Sequence, residues 1–265
     1  MTKLRWAITR LSHPSHLLYQ KREAGVASGI VNAPDSSSNP QIDPYLAEKF
    51  GPRRHQTIKP KLKKDLQKRL LLKEDPSVPI LFWPSRLDPI QKGCSLLTDI
   101  LFQLINDYNH LGLQIVMIAD GPYQQHFQGI VAYHGISDRI AVQPFSESLS
   151  HLGYRGSDFV LMPSSFQSCG LPQMIGCRYG SLPIAHATGG LKDTVRYLNI
   201  HENTGNGFLF EHFTTDGFRW AIDQAMEFYQ LKPEHKNPQI KRIMEQSKED
   251  FSHELSGGRL SENLQ

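Results

Sequence analysis

Two cationic side chains in one short segment could bind a phosphate-containing ligand. Arg86 and Lys92 follow an apolar run and stand just before Gly93, in the sequence PSRLDPIQKG. Two fixed cations beside a helix N-terminus can grip a diphosphate group, because side chains and free backbone N–H groups both offer positive charge. Cations are also common at strand ends on plain protein surfaces. This segment by itself therefore leaves a diphosphate clamp and an ordinary surface as open alternatives.

Two glycine-containing segments further along the chain could hold a sugar or a phosphate. The first, PSSFQSCGLPQ over residues 163–173, has Gly170 just before a helix pattern. Glycine permits close backbone approach, and the first turn of a helix has unpaired N–H groups. The second, Thr188-Gly-Gly-Leu191, can cradle a phosphate in the same way. A tight connection between elements would have the same composition in both places.

Short apolar runs alternate with helical patterns from Val78 to about residue 230. The strands are predicted at residues 80–83, 114–119, 140–142, 159–162, 183–185 and 208–210. Helical spacing between them predicts βαβ units, and hence an α/β fold with a doubly wound, Rossmann-like parallel sheet. Ligands of such sheets bind beyond the carboxyl ends of the strands, where all three segments lie.

The segments, in their order and spacing, resemble a known enzyme family. PSRLDPIQKG, PSSFQSCGLPQMIGCRYGSLPIAHATGGLKDTV and TGNGFLF are similar to motifs in the C-terminal half of bacterial and plant glycogen/starch synthases. These are retaining glucosyltransferases with two Rossmann domains, the GT-B fold. Gly29–Asp35 and Asn39-Pro40 resemble the family's hinge, so the resemblance covers residues 29 to 230. It implies that the chain is the C-terminal, donor-binding half of a GT-B fold.

The resemblance implies roles for individual residues. Arg86 and Lys92 match the pair that grips the diphosphate of a nucleotide sugar, and Phe145 sits where the family places an aromatic ring against adenine. The donor implied is ADP-glucose, with UDP-glucose left open, and the acceptor is the non-reducing end of an α-1,4-glucan. We expect no metal or other cofactor, since two side-chain cations can stabilise the leaving diphosphate.

Two loops are implied to contact the donor through their backbones. One holds the glucose and the other contacts phosphate; their residues are Cys169, Gly170 and Leu171, and Thr188, Gly189 and Gly190. The family's glucose loop usually reads Ser-Arg-Phe-Glu-Pro-Cys-Gly, but here Ser165 replaces the arginine and Gln167 the glutamate. An amide cannot offset positive charge on the reacting sugar, so we expect chemistry to slow by roughly 10²- to 10³-fold. Donor binding should survive, because Gln is nearly isosteric with Glu.

Only a short segment stands ahead of the hinge, where the family has a whole N-terminal domain. We interpret residues 1–31 as a poorly defined remnant and 32–76 as a hinge or linker with a basic helix. Residues 77–230 are the predicted Rossmann-like domain, and 231–265 a helical tail that frays. The chain alone should not enclose both substrates, which suggests a separately encoded N-terminal half as partner. A catalytically inactive nucleotide-binding module and an eroded fragment remain as alternatives.

Composition excludes several other classes of protein. The 265 residues carry a formal net charge of +3, too mild to indicate nucleic acid binding. No apolar run approaches the roughly 20 residues that span a bilayer, and the N-terminus lacks a secretory pattern, so we predict a cytoplasmic location.

Isolated cysteines and histidines offer no better-supported chemistry. Three cysteines without a C-x-x-C pair argue against a disulfide framework and structural zinc. Asp120, His126 and His134 form the nearest approach to a metal-ligand set, and we interpret them as surface residues. The lysines of a helix predicted at 59–73 should form a solvated face, with nucleic acid or acidic polymer binding as the alternative.

Overall fold

A six-stranded, entirely parallel sheet forms the centre of the molecule. The computed structural model describes residues 32–167 and 169–251. The strands are β1 (Ile80–Trp83), β2 (Gln114–Ile118), β3 (Ile140–Gln143), β4 (Phe159–Met162), β5 (Leu182–His186) and β6 (Phe208–Phe210). Their order is β3-β2-β1-β4-β5-β6, with every neighbouring pair parallel. This confirms the predicted doubly wound sheet, and it places the reversal of strand order between β1 and β4.

Helices cover both faces of the sheet. They are α1 (His55–Arg69), α2 (Cys94–Asp107), α3 (Gln124–His134), α4 (Glu147–Gly156), α5 (Pro172–Tyr179), α6 (Gly189–Thr194), α7 (Thr215–Gln230) and α8 (Pro233–Asp250). Alternate residues of β1 enter different cores: Leu81 and Trp83 pack with α2 and α7, while Ile80 and Phe82 pack with α1 and α4. No described helix is both long and apolar enough to cross a membrane.

The sequence predicted several elements at their observed bounds. Strands β1, β4 and β6 and helix α5 begin and end where the apolar runs and Pro172 indicated. Helix α1 lies four residues ahead of its predicted position. It packs on α4, and α8 packs on α5. The division of the chain into domains stays a prediction, and the interpretations of residues 1–31 and of the fraying end after residue 251 lie outside the described residues.

The prediction of a solvated lysine face is wrong for two lysines of α1. Lys59 and Lys63 are buried, and they continue the stripe of Leu66 and Leu70 at spacings of 4, 3 and 4. The Nζ atom of Lys59 donates to the carbonyl oxygens of Ser157 and Tyr179, at 2.7 and 3.0 Å. Ser157 and Tyr179 stand at the C-terminal ends of α4 and α5. Lys63 reaches the Val78 carbonyl oxygen and the Asp158 carboxylate, just ahead of β1 and β4, so both lysines find acceptors that make their burial favourable.

Candidate functional site

The loops after β1 and β4 lie side by side where the strand order reverses. Ser165, in the β4–α5 loop, donates its backbone N–H to the carbonyl oxygen of Gln91 at 2.9 Å and its hydroxyl to that of Ile90 at 3.0 Å. Gly93 has φ of +74°, and a Cβ there would lie 2.1 Å from the Pro163 oxygen. Only glycine therefore permits this approach of the two loops.

The β5–α6 loop joins the same site through its two glycines. The N–H of Gly190 donates to the carbonyl oxygen of Gln167 at 2.9 Å. Gly189 has φ of +44°, and a Cβ there would lie 2.1 Å from that same oxygen. The glycines in the TGG triplet thus allow the third loop to contact the backbone of the second, which brings all three predicted segments together.

A lysine and a glutamine form the centre of this site. The Nζ atom of Lys92 donates to Oε1 of Gln167 at 2.6 Å. Lys92 is half-buried, and burial lowers the pKa of its ammonium; the charge of Arg86 lowers the pKa further, while Asp88 opposes both. The site therefore holds a cation that lacks full compensation by the described protein groups.

Arg86 lies close to Lys92 but reaches into solvent. Its guanidinium is 3.7 Å from the carboxylate of Asp88 and donates to Oε1 of Gln91 at 3.3 Å. The carboxylate of Asp88 accepts the N–H groups of Ile90 and Gln91, and these bonds depress its pKa. Asp88 thus shapes the loop that presents both cations, and a diphosphate could contact Arg86 and Lys92 together.

The segment before α5 leaves backbone donors available. The N–H groups of Gly170 and Leu171 donate to no acceptor among the described residues. Gln173 fixes this turn, because its Nε2 donates to the carbonyl oxygens of Cys169 and Gly170 at 3.1 and 3.0 Å. Thr188, in the neighbouring loop, has a buried hydroxyl with no partner in the described part of the chain. These are groups that a polar ligand could satisfy.

Phe145 lies beyond β3, at the same edge of the sheet. Its ring is exposed, at 57%. Its N–H donates to Oδ1 of Asp120 at 3.0 Å, and the carbonyl oxygen of Asp120 accepts the N–H of Leu87. Asp120 therefore connects the Phe145 loop to the Arg86 loop. Within the described ranges, no three His, Cys, Asp or Glu side chains are placed to hold a metal ion.

His186 is a buried residue of the site that the sequence analysis missed. It ends β5, with Nδ1 2.9 Å from the Ser164 oxygen and Nε2 3.3 Å from the Glu211 oxygen. Through this contact with Ser164, His186 helps to position the β4–α5 loop from the side of the sheet. A histidine at the carboxyl end of a parallel strand was the signal available, since such positions face the ligand edge.

Comparison with known proteins decides the family. Residues 78–227 match the family described as Glycosyl transferases group 1. The chain belongs to this family. The match spans β1 to most of α7, and so includes all three loops of the site.

Comparison with individual curated proteins gives glycogen synthases as similar sequences. The chain is 37% identical over 222 residues to a glycogen synthase of Desulforamulus reducens, covering 82% of this chain and 44% of the relative. It is 38% identical over 215 residues to a glycogen synthase of Clostridium perfringens, covering 80% of this chain and 43% of the relative. The chain thus spans less than half the length of the curated relatives it matches. The predicted resemblance to glycogen/starch synthases is confirmed.

Comparison with solved structures also gives an enzyme of glucan synthesis as a similar protein. The catalytic domain of starch synthase IV from Arabidopsis thaliana, bound to ADP and acarbose, matches with a TM-score of 0.84 and 31% identity. The match covers 99% of this chain and 53% of that chain. The chain therefore has the fold of one half of a GT-B glycosyltransferase, and over that half it is similar to glycogen and starch synthases. The roles of the individual site residues stay predictions.

Proposed function

We propose that the carboxyl edge of this sheet binds a nucleoside diphosphate glucose, and that the chain acts as the donor half of an α-1,4-glucan synthase. The Lys92–Gln167 contact beside Arg86 carries the proposal, because it places two cations and the glucose-loop backbone at one point. The nucleotide we propose is ADP. A relative of 31% identity is described as bound to ADP and acarbose, and the chain is 37% identical to a bacterial glycogen synthase.

The chemistry assigned to this half is stabilisation of the leaving group. When the bond between glucose and diphosphate breaks, negative charge grows on the diphosphate and positive charge on the sugar. Arg86 and Lys92 would bind the diphosphate oxygens, and the N–H groups of Gly170 and Leu171 would orient the sugar. Preorganised charges of this kind lower the barrier because they need no reorganisation during the reaction.

Gln167, in place of glutamate, should affect donor binding and turnover differently. A glutamate would form an ion pair with Lys92, whereas the amide oxygen accepts its hydrogen bond and leaves the positive charge uncompensated. That residual charge favours a diphosphate. The reacting sugar gains no carboxylate, so transfer is expected to be slow while binding is retained.

The acceptor requires the other half of the GT-B cleft. We propose that further residues of the same polypeptide or a second chain supply it. Three exposed apolar side chains flank the site and would meet such a partner: Ile90, Phe145 and Phe166 are 79%, 57% and 45% exposed. Covering them would also exclude water from the reacting bond.

The competing function is nucleotide binding without catalysis. Two substitutions favour it. Gln167 lacks the charge that the family pattern provides, and the hydroxyl of Ser165 is engaged with the Ile90 carbonyl rather than available to a ligand.

Glucosyl transfer with a supplied N-terminal half distinguishes the two functions. The full chain would be mixed with the N-terminal half of a glycogen synthase relative, and transfer from ADP-glucose to glycogen measured. Transfer above that of either chain alone, lost in the Arg86→Ala/Lys92→Ala variant, supports the synthase half. If the two chains form a stable complex that transfers nothing, the function is binding only.

A further inference from the structure

A second pocket lies at the opposite edge of the sheet, where the strands begin. This cavity of about 210 Å³ lies between the first turns of α1 and α8 and the starts of β4 and β5. We call it the lysine cleft, and define it by Lys59, Lys63, Lys236, His55 and Asp158. Since all strands are parallel, the donor loops are at the other edge.

The lysine cleft contains more cations than anions. The Nζ atom of Lys63 pairs with Asp158 at 2.7 Å. Lys59 donates only to carbonyl oxygens. Lys236 donates to the Tyr229 carbonyl oxygen at 2.6 Å and lies 4.2 Å from the centre of the Tyr229 ring. Asp158 is the one carboxylate among the described residues that line the cleft. Three lysines therefore face one carboxylate, and up to two positive charges are met only by carbonyl oxygens at the C-terminal ends of α4, α5 and α7.

Burial makes it unfavourable for these lysines to stay protonated. Burial lowers the pKa of Lys59 to about 7; Asp158 opposes the decrease and Lys63 adds to it. Burial also lowers the pKa of Lys236, with the same two neighbours acting in the same directions. Without a further anion, the cleft therefore tends to lose protons rather than hold all its charge.

Two helix N-termini add positive potential to the cleft. His55 and Gln56 begin α1, which has no acidic residue in its first turn. Pro233 and Lys236 lie in the first turn of α8, whose one acidic residue, Glu234, is exposed and is not among the residues that line the cleft. Backbone N–H groups and helix dipoles at such ends favour anions.

His55 is a further polar group without a full set of partners. Its ring is 3% exposed and Nδ1 contacts the Pro52 oxygen at 2.7 Å, while Nε2 has no partner among the described residues. A buried imidazole nitrogen without a partner is unusual in a folded protein. It sits beside the same excess of cations.

We propose that the lysine cleft binds a phosphate group, held by Lys236 and Lys59 at the N-termini of α1 and α8. A phosphate dianion can balance the positive charge by which the three lysines, once all are protonated, exceed Asp158. Charge-assisted hydrogen bonds to ammonium groups are the strong contacts that such a ligand makes. The volume admits a phosphate together with several waters or a small organic group.

Binding at this cleft should take up protons. A dianion raises the pKa of neighbouring lysines, so Lys59, which is only partly protonated near pH 7, becomes fully charged in the complex. The binding heat will then vary with the ionisation enthalpy of the buffer. Above pH 8 inorganic phosphate is almost entirely the dianion and contributes no proton change of its own, so a surface site made of ordinary, fully charged lysines would show no such variation there.

The test must exclude phosphate bound at the donor site. All proteins therefore carry Arg86→Ala and Lys92→Ala, and are titrated with inorganic phosphate at pH 8.5 and constant ionic strength, where the phosphate is already the dianion. We expect saturable binding to one site, weakened at least tenfold by Lys236→Gln. The matched control is Lys241→Gln, an exposed lysine of the same helix whose nearest carboxylate is 3.9 Å away, and it should bind as the background does.

Several results would overturn the proposal. These are absence of saturable binding, equal affinity in the Lys236→Gln and background proteins, or binding heat that is independent of the buffer. Circular dichroism shows whether Lys236→Gln is folded, and its affinity is compared with the background only if it is. If Lys236→Gln unfolds, Lys236→Ala replaces it in the comparison. Repeating the titration with glucose 1-phosphate identifies the source: tighter binding than phosphate indicates an ester, and equal or weaker binding indicates the free ion.

Discussion

Lys92 and Gln167, 75 residues apart in the chain, are joined by a hydrogen bond of 2.6 Å from Nζ to Oε1. The bond crosses from the β1–α2 loop to the β4–α5 loop, at the reversal of strand order. It explains how a cation can be half-buried in the site without an ion pair to any described carboxylate. It also identifies the position at which one added charge should have the largest effect on turnover.

Replacing Gln167 by glutamate should increase turnover. Gln167→Glu provides the missing carboxylate, so we expect transfer in the presence of an N-terminal half to rise by roughly 10²- to 10³-fold. The new ion pair should raise the pKa of Lys92 and weaken ADP binding a few-fold. Steady-state transfer and calorimetry measure the two effects. Gln125→Glu, which adds the same charge on the exposed face of α3, is the control, and an equal gain there would contradict the proposed role.

Gly93 should be required for the site to form. Gly93→Ala forces a Cβ against the Pro163 oxygen at 2.1 Å in a left-handed conformation, so we expect a loss of at least 1 to 2 kcal/mol of stability. Urea denaturation measures this loss. At Gly129, in α3, an added Cβ meets no atom within 4 Å, so Gly129→Ala should stabilise by about 0.5 to 1 kcal/mol. Two equal effects would contradict the loop packing.

Phe145 should contribute to nucleotide affinity through the base. Stacking of an aromatic side chain on a base is worth about 1 to 3 kcal/mol, so Phe145→Ala should weaken ADP binding at least fivefold. Pyrophosphate, which has no base, should bind equally well to both proteins. Tyr133→Ala removes another exposed ring, 86% accessible on α3, and should change neither affinity. Unchanged ADP affinity in Phe145→Ala would exclude this stacking role.

Lys59 should make stability depend on pH above neutrality. Its pKa is about 7 in the folded chain and 10.5 as an ordinary lysine, so folding releases its proton between these values. Stability linked to Lys59 therefore rises with pH across that window, by up to about 1.4 kcal/mol per unit. The difference in unfolding free energy between wild type and Lys59→Met should show this slope, measured from pH 7 to 9.5. Lys61→Met, at an exposed position of α1, should give a flat difference.

The elements were predictable where local pattern decides them. Short apolar runs identified β1 and β4, and Pro172 marked the start of α5, because these signals need no distant contact. The order of the loops indicated which of them meet, since parallel strands share one carboxyl edge. These local features also carried the family resemblance.

Contacts between residues far apart in the chain could not be predicted from the sequence. Nothing local to Lys92 indicates its bond to Gln167, and nothing around Lys59 indicates two carbonyl acceptors contributed by residues 157 and 179. A run of lysines predicts solvation on average, so the burial of two of them follows only from the packed sheet. His186 stands at the carboxyl end of β5, which was a local signal, but its partners are carbonyl oxygens of other loops and could not be predicted.

Calorimetric titration of the full chain with ADP tests the central claim most directly. We expect saturable binding at one site, weakened at least 100-fold in Arg86→Ala/Lys92→Ala, because each charge-assisted contact is worth about 1.5 to 3 kcal/mol. The control Lys68→Ala/Arg69→Ala removes two exposed cations at the end of α1 and should bind ADP as the wild type does. A folded chain that does not bind ADP, or a double variant that binds it with unchanged affinity, would contradict the donor site.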